Sequence, residues 1–183
     1  MKAKNQRIQS TVLCGLFTAL LAISAWIQIP GAVPFTLQTM VVTILASLLG
    51  LRRSLLTIAI YIGLGMIGLP VFSSFSGGMG TLFGVTGGYL IGFFPMATII
   101  GISRYFCPNK RIVQIVSMVI GTILCYLTGA IWIALVYAAR GDVLSISSLL
   151  SLSVLPLVLP ECAKIITALL VINRLKPFWD HFQ

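Results

Sequence analysis

Three long stretches of this chain, residues 8–51, 54–103 and 112–139, contain no Asp, Glu, Lys or Arg. One membrane-crossing helix needs about 20 predominantly apolar residues, so the first two stretches can each hold two helices and the third holds one. A water-soluble alternative fails on composition. Charged residues make up 8% of the 183 positions and hydrophobic residues 58%, with a mean hydropathy of +1.09. Soluble domains carry about a quarter charged residues, and no polar surface could be assembled here. The chain is expected to be an all-α integral membrane protein, residues 1–183 forming a single domain of six transmembrane helices.

The net charge of +9 invites a nucleic-acid reading, but the positions of the charges argue against it. Lys2, Lys4 and Arg7, then Arg52 and Arg53, then Arg104, Lys110 and Arg111, then Arg174 and Lys176 fall between apolar runs. They do not form one polar face interleaved with aromatics. Ten of the twelve basic residues therefore occupy the tails and two alternate turns, while the loops near 30–36 and 70–85 have none and the loop near 140–148 has only Arg140 beside Asp142. Lys and Arg concentrate in cytoplasmic loops. This pattern places both termini in the cytoplasm and turns the glycine-rich loops outward. The basic start followed by an apolar run imitates a signal peptide, but Pro30, Pro34 and further apolar segments favour a retained first helix.

Helix boundaries follow from proline, glycine and charge. Helices are expected over residues 10–29, 37–49, 55–69, 87–103, 113–139 and 149–173, the first ending at Pro30-Gly31 and the third at Pro70, with Pro95 bending the fourth. The second is short. Thirteen residues at ~1.5 Å each span roughly 20 Å, against a hydrocarbon core of about 30 Å. Either Pro34-Phe35-Thr36 supplies the missing length or the helix starts below the outer surface. Non-helical backbone at that depth is tolerated only inside protein or lining a cavity. With the glycine- and serine-rich stretch after Pro70, it suggests an outward-facing pocket roofed by loops.

Glu161 and Lys164 carry the strongest chemical signal. Each lies inside the sixth apolar run, where an isolated charge costs about 2.5–3.5 kcal/mol. Their i, i+3 spacing puts them on one helical face, where they can neutralise each other. Two readings stand: an interhelical ion pair that only holds the bundle, or a ligand site. Glycines add a second signal. Gly88 and Gly92 have the spacing that lets helices approach closely, and Gly87-Gly88 could instead bring backbone against a ligand. Gly15, Ala19, Ala22 and Ala25 form a small-residue stripe on helix 1, suited to a neighbouring helix of this protein or of a partner.

Other chemistries lack their residues. Cys14, Cys107, Cys125 and Cys162 include no CxxC pair and His181 is the single histidine, so reduced, packed cysteines are expected rather than a metal or disulfide site. No glycine-rich stretch ends in Gly-Lys-Ser/Thr, so the chain has no phosphate-binding loop for ATP. Three acids and no Ser-His-Asp or Cys-His set leave little for acid–base catalysis, so it is not expected to be an enzyme. No cofactor is expected either.

Five segments together resemble the BioY family, the biotin-binding S component of energy-coupling factor (ECF) transporters. They are Val33-Pro34-Phe35-Thr36-Leu37-Gln38, Gly68-Leu69-Pro70-Val71-Phe72, the run Gly84-Val85-Thr86-Gly87-Gly88-Tyr89-Leu90-Ile91-Gly92-Phe93, then Tyr126-Leu127-Thr128-Gly129-Ala130-Ile131-Trp132 and Pro160-Glu161-Cys162-Ala163-Lys164. They cover nearly the whole chain in order. The resemblance implies a multi-pass subunit of a bacterial cell membrane that captures biotin from outside. It is driven by a transmembrane coupling protein and two ATPases, which would give the helix 1 stripe a partner. The family's acid–x–x–Lys pair falls on Glu161 and Lys164, and its threonine–glycine–glycine–tyrosine turn on Thr86, Gly87, Gly88 and Tyr89. Gln38 belongs to the segment before helix 2. The family usually has aspartate at Glu161 and proline at Val85. A carboxylate can accept the N–H bonds of a ureido ring, and Lys164 can meet either the ureido oxygen or the valerate. Trp132, Phe72, Phe75 and Tyr89 could wall the apolar remainder. An S component for another small vitamin and a small membrane enzyme acting on lipid are the competing readings.

Overall fold

The computed structural model describes residues 2–29, 34–108, 110–141 and 158–180. Six helices of at least twelve residues build it: α1 (Lys2–Trp26), α2 (Gln38–Leu49), α3 (Leu51–Met66), α5 (Gly87–Phe106), α6 (Arg111–Ala139) and α7 (Val158–Asp180). Between α3 and α5 lie a 3-10 turn, Ser73–Phe75, and a four-residue helix, α4 (Met79–Leu82). Three helical segments, Ile8–Trp26, Gly87–Phe106 and Arg111–Ala139, are each long and apolar enough to cross a membrane by length and composition. The outer surface matches that solvent. Val12, Leu16 and Ile23 on α1, and Ile123, Leu127, Ile131 and Leu135 on α6, are all exposed. Conversely, Thr18, Gln38, Thr39, Thr43, Ser54 and Thr57 are buried. In lipid the backbone must be satisfied internally, which only helices or closed barrels achieve; the result is a multi-pass helical membrane protein.

α2 is the central element. Eleven of its twelve residues are buried, and α1, α3, α5 and α7 all pack on it. It cannot start earlier because Phe35–Thr36 is extended, pairing antiparallel with Gln28–Ile29 in the register Gln28 to Thr36 and Ile29 to Phe35. This settles the length of the second helix: the residues before it form a two-residue β-ladder, a departure from an all-α chain confined to the roof. It also ends α1 at Trp26 rather than Ile29. α2 and α3 are separated by Gly50 alone, whose φ of +76° favours glycine, so α3 starts at Leu51, four residues earlier than expected, and ends at Met66. α5 runs unbroken through Pro95 to Phe106. The expected first turns of helix 6, from residue 149, and the 142–148 loop lie outside the described residues, as do Pro30–Val33 and His181.

The tightest pairing is α5 on α6, and glycine is the reason. A Cβ on Gly92 would come within 2.9 Å of the Cys125 carbonyl oxygen, and one on Gly88 within 3.0 Å of that of Thr128 while overlapping the Trp132 side chain. Gly121 and Gly129 return the favour from α6, against Met96 and the Tyr89 ring. Close approach of this kind drives helix association where no hydrophobic effect operates.

Candidate functional site

A small cavity of about 50 Å³ lies where the N-terminal end of α2, the upper half of α5, the middle of α6 and the start of α7 converge. Gln38 and Thr39 come from α2, Thr86 from the turn before α5, and Tyr89, Leu90 and Phe93 from α5. Tyr126 and Lys164 complete the wall, while Pro34, Phe35, Thr36, Phe72 and Ser73 form the roof. Of the described residues lining it, Lys164 alone is charged.

Lys164 and Glu161 are 6% and 5% exposed, and their positions on successive turns of α7 put Lys164 Nζ 2.5 Å from Glu161 Oε1. Lys164 Nζ also donates to Thr39 Oγ1 at 3.0 Å and sits 3.8 Å from the centre of the Phe35 ring. The Glu161 carboxylate accepts from Tyr126 OH at 2.8 Å and lies 2.9 Å and 3.2 Å from Thr39 Oγ1. It does not border the cavity. The carboxylate stands behind the ammonium, fixing it from one side with two hydroxyl groups, while the ammonium meets the open space. A buried ion pair is tolerable only when its remaining donors and acceptors are satisfied, and Thr39 and Tyr126 supply that here. The sequence alone assigns neither the Thr39 nor the Tyr126 hydroxyl to the ion pair. A threonine hydroxyl in an apolar helix can bond its own i−4 carbonyl, as Thr43 bonds Thr39 O at 2.8 Å, and no local pattern separates that case from Thr39; a tyrosine hydroxyl stands too far from its own backbone to do so, but spacing along the chain does not say which partner it finds.

The roof is tied down by side chains. Gln38 Nε2 donates to Tyr61 OH at 2.7 Å, and Tyr61 OH donates to the Val71 carbonyl at 2.9 Å. Thr36 Oγ1 reaches Gln38 Oε1 at 3.1 Å. Gln38 thereby joins the extended segment to the 70–76 loop as well as lining the cavity. Phe72 is buried and meets Tyr61 edge-on at 5.5 Å; Gly65 leaves it room, since a Cβ there would overlap its ring. On the outer side, Trp26 Nε1 donates to the Pro70 carbonyl at 3.0 Å and Gln28 Nε2 to Ser74 Oγ at 2.6 Å.

Several expected site residues have other positions. Phe75 is 64% exposed and stacks on Trp26 at 4.9 Å, away from the cavity. Trp132 also lies outside the wall, donating Nε1 to the Gly84 carbonyl at 2.9 Å. Gly87 and Gly88 are filled by neighbours: a Cβ on Gly87 would overlap the Leu82 carbonyl and lie 3.3 Å from Trp132 Nε1. These two glycines and Trp132 support the turn that presents Thr86 and Tyr89, rather than lining the space themselves. The helix 1 stripe divides: Ala22 and Ala25 are buried within the protein, whereas Gly15 and Ala19 are exposed.

Known proteins resemble this chain over nearly its whole length. The sequence model of the BioY family matches residues 1–181. A protein of Thermotoga maritima named biotin transporter BioY is 37% identical over 172 residues, covering 92% of this chain and 96% of its own. A probable biotin transporter BioY of Pyrococcus horikoshii is 36% identical over 178 residues, covering 96% and 98%. Among solved structures, the S-component for biotin from an ECF-type ABC transporter superposes with a TM-score of 0.83 at 25% identity, over 94% of this chain and 93% of that one.

Proposed function

This chain belongs to the BioY family, and we infer from that membership and from the site that it is the biotin-binding membrane subunit of an uptake transporter. The observation that carries the reading is the buried Lys164 ammonium at the cavity, backed by Glu161, Thr39 and Tyr126. In our reading six helices span the membrane, both termini face the cytoplasm and the roofed cavity faces outward. Basic residues in alternate loops support that orientation. Transport is energised by a membrane coupling protein with two ATPases, in a bacterial cell membrane, and the chain itself catalyses no reaction.

Charge balance assigns the two ends of the ligand. Glu161 and Lys164 cancel, so a neutral ureido ring leaves the buried site neutral, whereas a valerate carboxylate there would bury a net negative charge at a cost of about 2.5–3.5 kcal/mol. The ureido carbonyl therefore meets Lys164, and the valerate points toward the roof, where Thr36 and Ser73 border the space. At about 50 Å³ the cavity is far below the ~300–1,000 Å³ of ordinary ligand pockets, so the roof must shift outward as biotin enters.

Radiolabelled biotin binding to the purified, detergent-solubilised protein tests the function. Saturable binding at nanomolar to micromolar concentration is expected. Binding of another vitamin with biotin excluded would reassign the substrate, and turnover of a lipid without biotin binding would overturn the transport reading.

A further inference from the structure

Biotin has a polar group at each end, and this chain supplies a positive charge for one end only. The segments that wall or roof the cavity lie within residues 8–51, 54–103, 112–139 and 158–173, and Lys164 is the one Lys, Arg or His in any of them. Residues 141–157 contain none either. Since this follows from the sequence, it holds wherever the roof sits with ligand inside. On the helices that line the cavity, the other cations lie far along the axis: Arg104 is eleven positions past Phe93, Arg111 fifteen before Tyr126 and Arg174 ten past Lys164. At ~1.5 Å per residue, the shortest of these separations is about 15 Å. At the other end of α6, Arg140 lies about 21 Å along the axis from Tyr126 and is exposed.

The polar groups at the roof are wired in one direction. Tyr61 OH spends its proton on the Val71 carbonyl at 2.9 Å, so the group that meets Tyr61 OH must be a donor, and Gln38 Nε2 is there at 2.7 Å. That turns Gln38 Oε1 toward Thr36, whose Oγ1 donates to it at 3.1 Å. With its proton committed, Thr36 Oγ1 has only lone pairs to offer, and one of them faces Gln38 N at 3.4 Å. Gln38 Nε2 keeps a second N–H. Both residues line the cavity, so its roof end presents an acceptor and a donor, and the Ser73 hydroxyl beside them can act as either.

We propose that the site takes the carboxamide of biotin as well as biotin itself. A carboxylate only accepts hydrogen bonds, whereas a carboxamide accepts at its oxygen and donates at its nitrogen. That matches a Gln38 donor with a Thr36 acceptor. Charge gives the acid no advantage here. Where the roof buries the carboxyl end, an unpaired carboxylate is costly; where that end stays in water, the ionised and neutral forms are both hydrated. The inference rests on the ureido ring meeting Lys164, under the function proposed above.

Displacement of tritiated biotin from the purified, detergent-solubilised full chain by biotinamide tests this. Half-displacement is expected at no more than about threefold the concentration of unlabelled biotin that achieves it. A site that paired the carboxylate with a cation would lose a charge-assisted hydrogen bond and demand about tenfold more amide or worse. That result, with biotin itself bound saturably, would overturn the carboxamide proposal and leave the transporter function standing. No binding of biotin at all would overturn both. Thr36→Val keeps the branched shape and removes the acceptor, so it should weaken biotinamide at least about threefold more than biotin; residual biotin binding reports that the variant is folded. Equal weakening of the two ligands, or of neither, would also sink the proposal.

Discussion

Lys164 Nζ lies 3.8 Å from the centre of the Phe35 ring, so the ammonium at the cavity is covered by an aromatic face carried on the extended segment before α2. A cation over a desolvated ring gains up to ~2 kcal/mol. Phe35 therefore holds the roof down in the absence of ligand, and biotin must break that contact to enter. For Phe35→Leu, association and dissociation of biotin should both accelerate at least threefold, with a smaller change in equilibrium affinity. Stopped-flow rates indistinguishable from those of the unaltered protein would mean that Phe35 is not the cover.

The ion pair itself separates a ligand site from a purely structural device. Lys164→Met should weaken biotin binding a hundredfold or more. A charge-assisted hydrogen bond contributes about 1.5–3 kcal/mol, a buried partner left alone brings the loss to roughly 3–5 kcal/mol, and each ~1.4 kcal/mol is tenfold. Joining Glu161→Gln to Lys164→Met removes the orphaned charge and should recover thermal stability but not affinity. Normal biotin binding by the double variant would show that the pair serves only the bundle.

The division of the helix 1 stripe gives opposite outcomes for neighbouring alanines. Ala19 is exposed and Ala22 is buried. Ala19→Trp should leave biotin binding and melting temperature unchanged while impairing uptake with the coupling module. Ala22→Trp overpacks the interior, at a cost of typically 1–3 kcal/mol, and should lower the melting temperature. Undiminished uptake by the Ala19 variant would leave that face to lipid.

Orientation is testable through one thiol. Cys107 caps the end of α5 beside Arg104 and is half-buried. A membrane-impermeant maleimide should label it in inside-out vesicles and not in intact cells. The reverse pattern would invert the topology.

Glycine at the α5–α6 seam is needed for packing, not for flexibility. Gly88→Ala drives a methyl into Trp132 and should cost about 1–3 kcal/mol, read as a lower melting temperature. Gly15→Ala meets nothing within 4 Å and removes a weak helix former, so it should be neutral or stabilising by up to ~1 kcal/mol. Equal effects of the two changes would refute the packing account.

What the sequence alone settled was whatever depends on runs and spacings along the chain. Charge-free stretches require membrane helices because unpaired charges and open backbone are costly in hydrocarbon. Glu161 and Lys164 share a face because i and i+3 do so on any helix. Segment likeness carried the family. Tertiary structure alone decided which partners meet across helices. Thr39 is 122 residues from Glu161 in sequence and Tyr126 is 35; nothing local distinguishes the Thr39 hydroxyl from those that bond their own helix, and nothing local says which partner the Tyr126 hydroxyl meets. Likewise, Trp132 and Phe75 read as pocket walls by residue type, yet one packs on glycines and the other on Trp26. Aromatic rings serve core, interface and ligand equally well, and only the relative placement of helices determines which of these each one does.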